Sequence, residues 1–391
     1  MENFVFYSPT EFVFGKNTEL EVGRLLKARN ARNVFIHYGG GSVIRTGLMA
    51  RVKKVLDEES ITCFELGGAQ PNPRSGLVYE GIRLCKEKRA DFVLAIGGGS
   101  AIDSAKAIAA GAKYDGDFWD FYDGLAEIED ALPIGVILTI PAAGSEGSAS
   151  AVITQEKGML KRGRVSRFYR PQFAIINPEL TYTLPMYQMA CGVVDMMGHI
   201  LERYFTKSKD VELTDKMSEA VLISIMDAAR KLFKDKDDYE SRATLCWAGT
   251  IAHNGILSVG KREDWTTHFL EHELSALYDV AHGAGLAVMF PAYMTYVMDE
   301  DIQRFRRLAV EVFGARDIKN DPKATALDGI KKLKEFCRMI GMPTNFQELG
   351  AKKADIDKLL ATLEQNRGKE FQAYRKITLE DAKKIYLLAC E

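Results

Sequence analysis

The sequence predicts an α/β domain built on a parallel sheet, followed by an all-helical domain, and three observations carry that reading. Up to about residue 185, short β-branched or aromatic runs alternate with helical segments, the rhythm of strands joined by crossover helices. Those runs are apolar on both faces, as in a sheet covered on two sides. Beyond Pro185 every extended segment repeats at the helical period.

The expected strands are "NVFIHY" (33–38), "DFVLAI" (91–96), "IGVILTI" (134–140) and "FAIIN" (173–177). That rhythm gives way to "MSEAVLISIMDAARKLF" (217–233) and "ATALDGIKKLKEFCRMI" (324–340), with no strand-like run in the second half. A boundary near residue 186 thus separates domain 1–185 from domain 186–391. At 391 residues the chain is long enough for two domains of roughly 150–200 residues each. Internal repeats and low-complexity tracts are absent.

Composition narrows the function classes. Hydrophobic content of 47% and charged content of 27%, with 11 prolines, describe a globular protein. A net charge of −2 argues against a nucleic-acid partner held on a basic face and against an electrostatic membrane anchor. The N-terminal "MENFVFYSPTEFVFG" has no basic segment followed by a long apolar run, and so reads as no export signal. The longest apolar stretch, 131–144, is too short to span a bilayer and reads as a buried strand. Six scattered cysteines without a CxxC pair fit reduced, packed thiols in a cytoplasmic enzyme.

Two strand ends carry glycine clusters. In "FVLAIGGGSAIDSAK" (92–106) the strand runs into Gly97, Gly98, Gly99 and Ser100, and then into a helix bearing Asp103 and Lys106. Backbone amides at such a helix start, unobstructed by Cβ atoms, suit a pyrophosphate in a Rossmann-like domain. Neither GxGxxG nor GxxxxGK[ST] is matched, since Ile102 stands where the third glycine of the first pattern would be. "VFIHY" ends in Gly39, Gly40, Gly41 and Ser42, with Arg45 close by and no acid to bond a ribose 2′-hydroxyl. That favours NADP over NAD. His37, on the strand, reads as structural. A third turn, "LTIPAAGSEGSASAVIT" (138–154), offers Thr139, Ser145 and Ser148 as donors. The basic stretch 157–170 after it reads as a solvated loop or hairpin, with Lys161 the one charge singled out.

The second half carries a metal constellation. "CGVVDMMGHILERY" (191–204) puts Asp195 and His199 on one helix face, four residues apart. "HFLEHELSALYDVAH" (268–282) supplies His268, His272 and His282. First-row divalent metals take such N/O sets. On an unbroken helix His282 would lie about 21 Å from His268, so one ion reaches both only if the helix breaks, with Asp279 as a capping residue and Gly283 and Gly285 beyond. Spacing alone leaves open which two of the three histidines join Asp195 and His199. His253 has no partner at ligand spacing and reads as structural. His268, Glu271 and His272 also spell H-x-x-E-H, a zinc-peptidase pattern. That alternative leaves the glycine turns, Asp195 and His199 unused.

Together these motifs resemble the iron-containing, group III alcohol dehydrogenases, which share the fold of dehydroquinate synthase, and within them the NAD(P)-dependent butanol dehydrogenase branch. "GGGSAIDSAK" is similar to the family's GGGSxxDxxK, "PAAGSE" to its GTGSE-type turn, "DMMGH" to its DxxxH and "HFLEHELSALYDVAHG" to its H-x3-H-x9-HG. The resemblance runs over nearly the whole chain. It implies a nucleotide-binding domain, a helical metal-binding domain and an active site in the cleft between them. It also implies that Asp195, His199, His268 and His282 ligate Fe²⁺, or alternatively Zn²⁺, leaving His272 beside the nicotinamide. Gly97 to Ser100 would hold the pyrophosphate, Gly39 to Ser42 the adenosine end, and Asn72, Asp103, Thr139 and Lys161 the rest of the cofactor. Two positions depart from the family pattern: Ala143 where threonine is common, and Asn177 where a DP dipeptide is common.

The activity so implied is hydride transfer between a butanol-like primary alcohol, or its aldehyde, and NAD(P), with the metal as Lewis acid. His272 is the candidate proton relay, with a structural hydrogen bond as its other reading. A homodimer is the family expectation. The alternatives are a lyase or cyclase of the dehydroquinate synthase-like fold and a nucleotide-binding regulatory protein with a structural ion.

Overall fold

The computed structural model describes residues 1–371 and 374–391. The chain forms two compact units, Tyr7–Leu184 and Pro185–Glu391, and the second also takes in Met1–Phe6. The first six residues therefore leave the α/β half in which the sequence reading places them. The Glu2 N–H donates to the Gly260 carbonyl at 2.9 Å, and the terminal ammonium donates to the Lys209 carbonyl at 2.5 Å.

The Tyr7–Leu184 unit is built on one six-stranded sheet. Its strands are β1 (Glu11–Phe14), β2 (Asn33–Tyr38), β3 (Thr62–Leu66), β4 (Phe92–Gly97), β5 (Ile134–Leu138) and β8 (Phe173–Ile176), in the order β1-β8-β5-β4-β2-β3. Every pairing is parallel. The four strands expected from sequence are the inner four, and their apolar runs are buried on both faces: Val34, Ile36, Leu94, Ile96, Ile137 and Ile175 join one core cluster. The two edge strands gave no such signal. "EFVF" and "TCFEL" are short and half-exposed, because an edge is covered less than the middle of a sheet.

Two further strands, β6 (Ser150–Gln155) and β7 (Leu160–Val165), pair antiparallel as a separate hairpin, so not every strand of this unit is parallel. This is the hairpin alternative for the basic stretch. Its charges are matched locally, Arg162 to Asp123 and Arg164 to Glu127. Asn177, the departure from the DP pattern, has a structural role, since its Oδ1 accepts the Glu179 N–H at 3.0 Å and its Nδ2 donates to Glu19 at 2.8 Å.

The other unit is helical apart from one exception. β9 (Glu370–Phe371) and β10 (Ile377–Thr378) form a two-residue antiparallel ladder, which corrects the expectation of no strand there. Strands this short carry no periodicity for a sequence to show. Three helices position the candidate ligands: Met186–Tyr204, Thr266–Tyr278 and His282–Val297. Among the described residues no helix is long and apolar enough to cross a membrane, and all six cysteines are free thiols.

Candidate metal centre and nucleotide turns

The helix that opens at Thr266 does break before His282. Asp279 adopts φ 52° and its N–H closes the turn onto the Ser275 carbonyl at 3.0 Å, so the backbone leaves the helix in the left-handed region. Ala281 is extended (φ −63°, ψ 130°), and His282 is the first residue of the next helix. Asp279 therefore acts as the end of the first helix, and Ala281 precedes the second. The reversal brings the His268 and His282 rings to 5.2 Å between centroids, against about 21 Å on a continuous helix.

Glycines set how closely the two ligand-bearing helices approach. A Cβ on Gly283 would stand 2.6 Å from the carbonyl carbon of Cys191, in the helix that carries Asp195 and His199. With that contact made, one donor atom each from Asp195, His268 and His282 lies within 4.8 Å of the others. His282 Nε2 is 3.8 Å from Asp195 Oδ1, and His199 Nδ1 is 3.7 Å from the same oxygen. The His199 ring stacks on His268 at 4.9 Å, so all four sequence candidates share one pocket, with His199 at its flank. Burial, and then the neighbouring His253, hold His199 well below the usual imidazole range. That shift favours the neutral imidazole, the form that can ligate. Three imidazoles and one carboxylate, all buried but the half-buried His282, fit Fe²⁺ or Zn²⁺ by donor chemistry.

His272 is buried, with its ring 5.5 Å from that of His282. His253, which sequence spacing left isolated, packs its ring 4.1 Å from His199 and meets Arg203 at 3.3 Å. Trp265 closes another side, edge-on to His268 at 5.1 Å and under the Arg203 guanidinium at 4.7 Å. It holds φ 75°, a left-handed conformation that is costly for a bulky residue.

Two buried glutamates complete the pocket, and sequence reasoning gave neither its place. Glu202 Oε1 accepts the His268 backbone N–H at 2.9 Å and is hydrogen-bonded to Nδ1 of its ring at 2.8 Å. Glu271 accepts from His282 Nδ1 through Oε2 and from the Ser275 hydroxyl through Oε1. The peptidase alternative needs Glu271 as a base for water, but its oxygens are already engaged in orienting His282. An acid does stand three residues after His199 (Glu202) and after His268 (Glu271), but not after His272 or His282, and each of the two meets a histidine other than the one it follows, which sequence spacing does not show.

In the other unit the chain moves outward from β2 to β3 in one direction and from β4 to β5 and β8 in the other. The switch point falls between β2 and β4, whose C-terminal ends carry the two GGGS turns, the usual crevice for a dinucleotide. The turns are neighbours: a Cβ on Gly97 would lie 3.8 Å from the Gly39 nitrogen. Gly98 has Ile140 against it, where a Cβ would approach at 2.8 Å, and Gly99 faces Ala143 at 3.2 Å. The third turn is thus the wall over the second, and Thr139 joins it by donating its N–H to Gly97 at 2.9 Å. Ser100 lies in the first turn of the Gly99–Gly111 helix.

Gly40 has nothing within 4 Å of its Cβ position, and beside Gly41 sits Nη1 of Arg45, 2.9 Å from where a Cβ would be. Ser42 is exposed there. Asn72 and Lys161 are buried together, Nζ donating to Oδ1 at 2.9 Å. Asp103 is committed within the protein: Oδ1 accepts from Ser145 Oγ at 2.6 Å and Oδ2 from the Val152 N–H at 2.9 Å. Beside it, Lys106 is fully buried and donates to the Ser145, Ser148 and Ser150 carbonyls. Burial brings that ammonium down to about 8 despite Asp103. His37 is also fully buried, its Nδ1 bonded to the Leu66 carbonyl at 2.9 Å, as a structural residue would be.

Comparison with known proteins gives one family for both units. A family model described as "Iron-containing alcohol dehydrogenase" matches residues 9–178, and "Fe-containing alcohol dehydrogenase family, C-terminal" matches 189–390. A probable NADH-dependent butanol dehydrogenase of Bacillus subtilis is 42% identical over 97% of this chain and 98% of its own. The NADPH-dependent aldehyde reductase of Escherichia coli is 35% identical, over 99% of both. The crystal structure of an NADH-dependent butanol dehydrogenase A from Thermotoga maritima superposes with a TM-score of 0.96 at 40% identity, covering 100% of this chain and 99% of that one.

Proposed function

Because the chain belongs to the iron-containing alcohol dehydrogenase family, we propose that it transfers a hydride between a butanol-like primary alcohol, or its aldehyde, and NAD(P). The observation that carries this reading is the group of buried Asp195 and His268 with half-buried His282, donor atoms within 4.8 Å of one another and His199 at its side. These four residues would hold the ion, Fe²⁺ by family and Zn²⁺ as the alternative. When bound, the ion supplies Lewis acidity to the substrate oxygen and the nicotinamide supplies or takes the hydride.

The chain's own residues do the rest. Three imidazoles and one carboxylate would leave a bound divalent ion a net positive charge, and the Trp265 and Phe290 rings pack beside His268 on that side. His272, buried beside His282, carries the proton that alcohol oxidation releases. Gly97 to Ser100 cradle the pyrophosphate at a helix start, while Gly39 to Ser42 receive the adenosine end. Asn72, Thr139, Ser145 and Lys161 line the remainder, and Asp103 acts by holding Ser145.

For the cofactor we propose a preference for NADP, since no acid follows β2 and Arg45 lies beside Gly41. Relatives carry both names, NADH-dependent and NADPH-dependent. A kcat/KM higher with NADPH, and lowered for NADPH alone by Arg45→Ala, would support it; equal values would remove it. We also place the protein in the cytoplasm, supported by its six free thiols. We propose a homodimer, supported by the exposed apolar arm of Phe4, Val5 and Phe6, and light scattering measures it.

The test of the main reading uses metal-stripped protein, butanol or butyraldehyde, and nicotinamide absorbance. Turnover restored by Fe²⁺ or Zn²⁺ is expected, and NAD(P)H formed from the alcohol separates a dehydrogenase from a lyase. No turnover with either ion would overturn the proposal.

A further inference from the structure

Two of the four candidate ligands are gripped from behind by carboxylates. His268 gives its backbone N–H to Glu202 Oε1 at 2.9 Å, and its ring Nδ1 lies 2.8 Å from the same oxygen. The second oxygen of Glu202 takes the N–H of Trp265 at 3.1 Å, fixing the carboxylate plane. His282 gives its Nδ1–H to Glu271 Oε2, while the Ser275 hydroxyl holds Oε1. Both glutamate side chains are wholly shielded from solvent. His199 turns Nδ1 toward Asp195 instead, at 3.7 Å.

A buried carboxylate is expensive unless its partners require it. The protein also makes room for one of them. A Cβ on Gly285 would stand 2.5 Å from Glu271 Oε1 and 2.7 Å from its Cγ, so the slot for Glu271 exists only because residue 285 has no side chain. An imidazole whose Nδ1–H is committed to a carboxylate has its tautomer set, with the lone pair on Nε2, and is the more basic ligand for it. For His282 that Nε2 is the atom 3.8 Å from Asp195 Oδ1.

We propose that Glu202 and Glu271 are positioning residues for the metal centre: each fixes one ligand histidine in the Nδ1–H form and aims its Nε2 at the ion, without ligating it. This rests on the metal reading given above. The Glu of the H-x-x-E-H sequence is thereby a ligand orienter and not a general base.

The experiment uses the full chain, stripped of metal, titrated with Fe²⁺ under anaerobic conditions and with Zn²⁺ alone against a competing chelator. Glu202→Ala and Glu271→Ala are each expected to raise the metal Kd by roughly 10–100-fold. NADPH binding by the metal-free protein, followed by fluorescence, should not change. Glu271→Gln, which keeps an oxygen acceptor for Nδ1–H, should recover part of the loss. Gly285→Ala, which displaces Glu271 while leaving every histidine and carboxylate in the sequence, should lose affinity in the same way. Folded alanine variants with wild-type Kd would overturn the proposal. Where an alanine variant does not fold, wild-type Kd in Glu202→Gln, Glu271→Gln and Gly285→Ala would overturn it. A wild-type protein that takes up neither ion would instead bring down the metal reading itself.

Discussion

Gly283→Ala is the sharpest test of how the proposed metal pocket is assembled. Gly283 belongs to the first turn of the His282–Val297 helix and lies against Cys191 of the Met186–Tyr204 helix. An added methyl would stand 2.6 Å from the Cys191 carbonyl carbon and 2.7 Å from its Cα, and closer still to its oxygen. An ordinary contact needs roughly 3.5 Å, so the helices must separate by about 1 Å. Both sides are backbone, and no rotamer change relieves the clash. Overpacking of this kind costs about 1–3 kcal/mol. The better helix propensity of alanine returns less than about 1 kcal/mol at a helix start. Net destabilisation of about 2 kcal/mol should appear as a lower Tm of the metal-free protein. The consequence for the metal is larger, because His282 rides on one helix and Asp195 and His199 on the other. A displacement of about 1 Å exceeds the roughly 0.2 Å tolerance of metal–ligand distances. Metal affinity, measured by chelator competition, should fall more than about tenfold. A Gly283→Ala protein with wild-type Tm and wild-type Kd would refute the account of helix approach.

Three further outcomes follow from the α/β unit. Gly40→Ala meets nothing within 4 Å, so Tm should hold while NADPH affinity falls, if the methyl enters the space of the adenosine end; fluorescence titration reads this. Asp103→Ala takes from buried Lys106 the stronger of the two acids that offset its charge, leaving Glu146, and should lower the free energy of unfolding in urea by up to about 3 kcal/mol. Burial holds His37 down to about 4, from an ordinary value near 6.5. Between those two values the unfolded chain binds a proton that the folded one does not, so stability falls as pH drops through this window, by about 3 kcal/mol in all. The difference in urea stability between wild type and His37→Gln, measured from pH 7 to 4, should show that slope; a pH-independent difference would refute it.

Where apolar runs were long and symmetric, sequence and structure agree. The inner strands β2, β4, β5 and β8 are buried on both faces, and that burial is written in consecutive Val, Ile and Leu. The edges β1 and β3, the β6–β7 hairpin and the short β9–β10 ladder depend on partners distant in sequence or on very few residues, and local pattern underdetermines them. The place of Met1–Phe6 is likewise a matter of the Gly260 and Lys209 carbonyls they meet.

By itself the sequence determined the family and the glycine turns and named the candidate metal donors, because these reside in residue type and short spacing. Asp195 and His199 share a face whatever surrounds their helix, and three glycines free a backbone wherever they stand. It also required a break between His268 and His282 if one ion was to touch both. Only the tertiary structure decided how that break is made, through the left-handed Asp279, and how near His282 comes to Asp195, through the absent Cβ of Gly283. It alone showed that Glu202 and Glu271 stand behind two of the histidines, and that Asp103 and Lys106 hold a turn. Those are contacts between segments up to 66 residues apart, and they are set by how buried polar groups find partners when helices and strands close on one another.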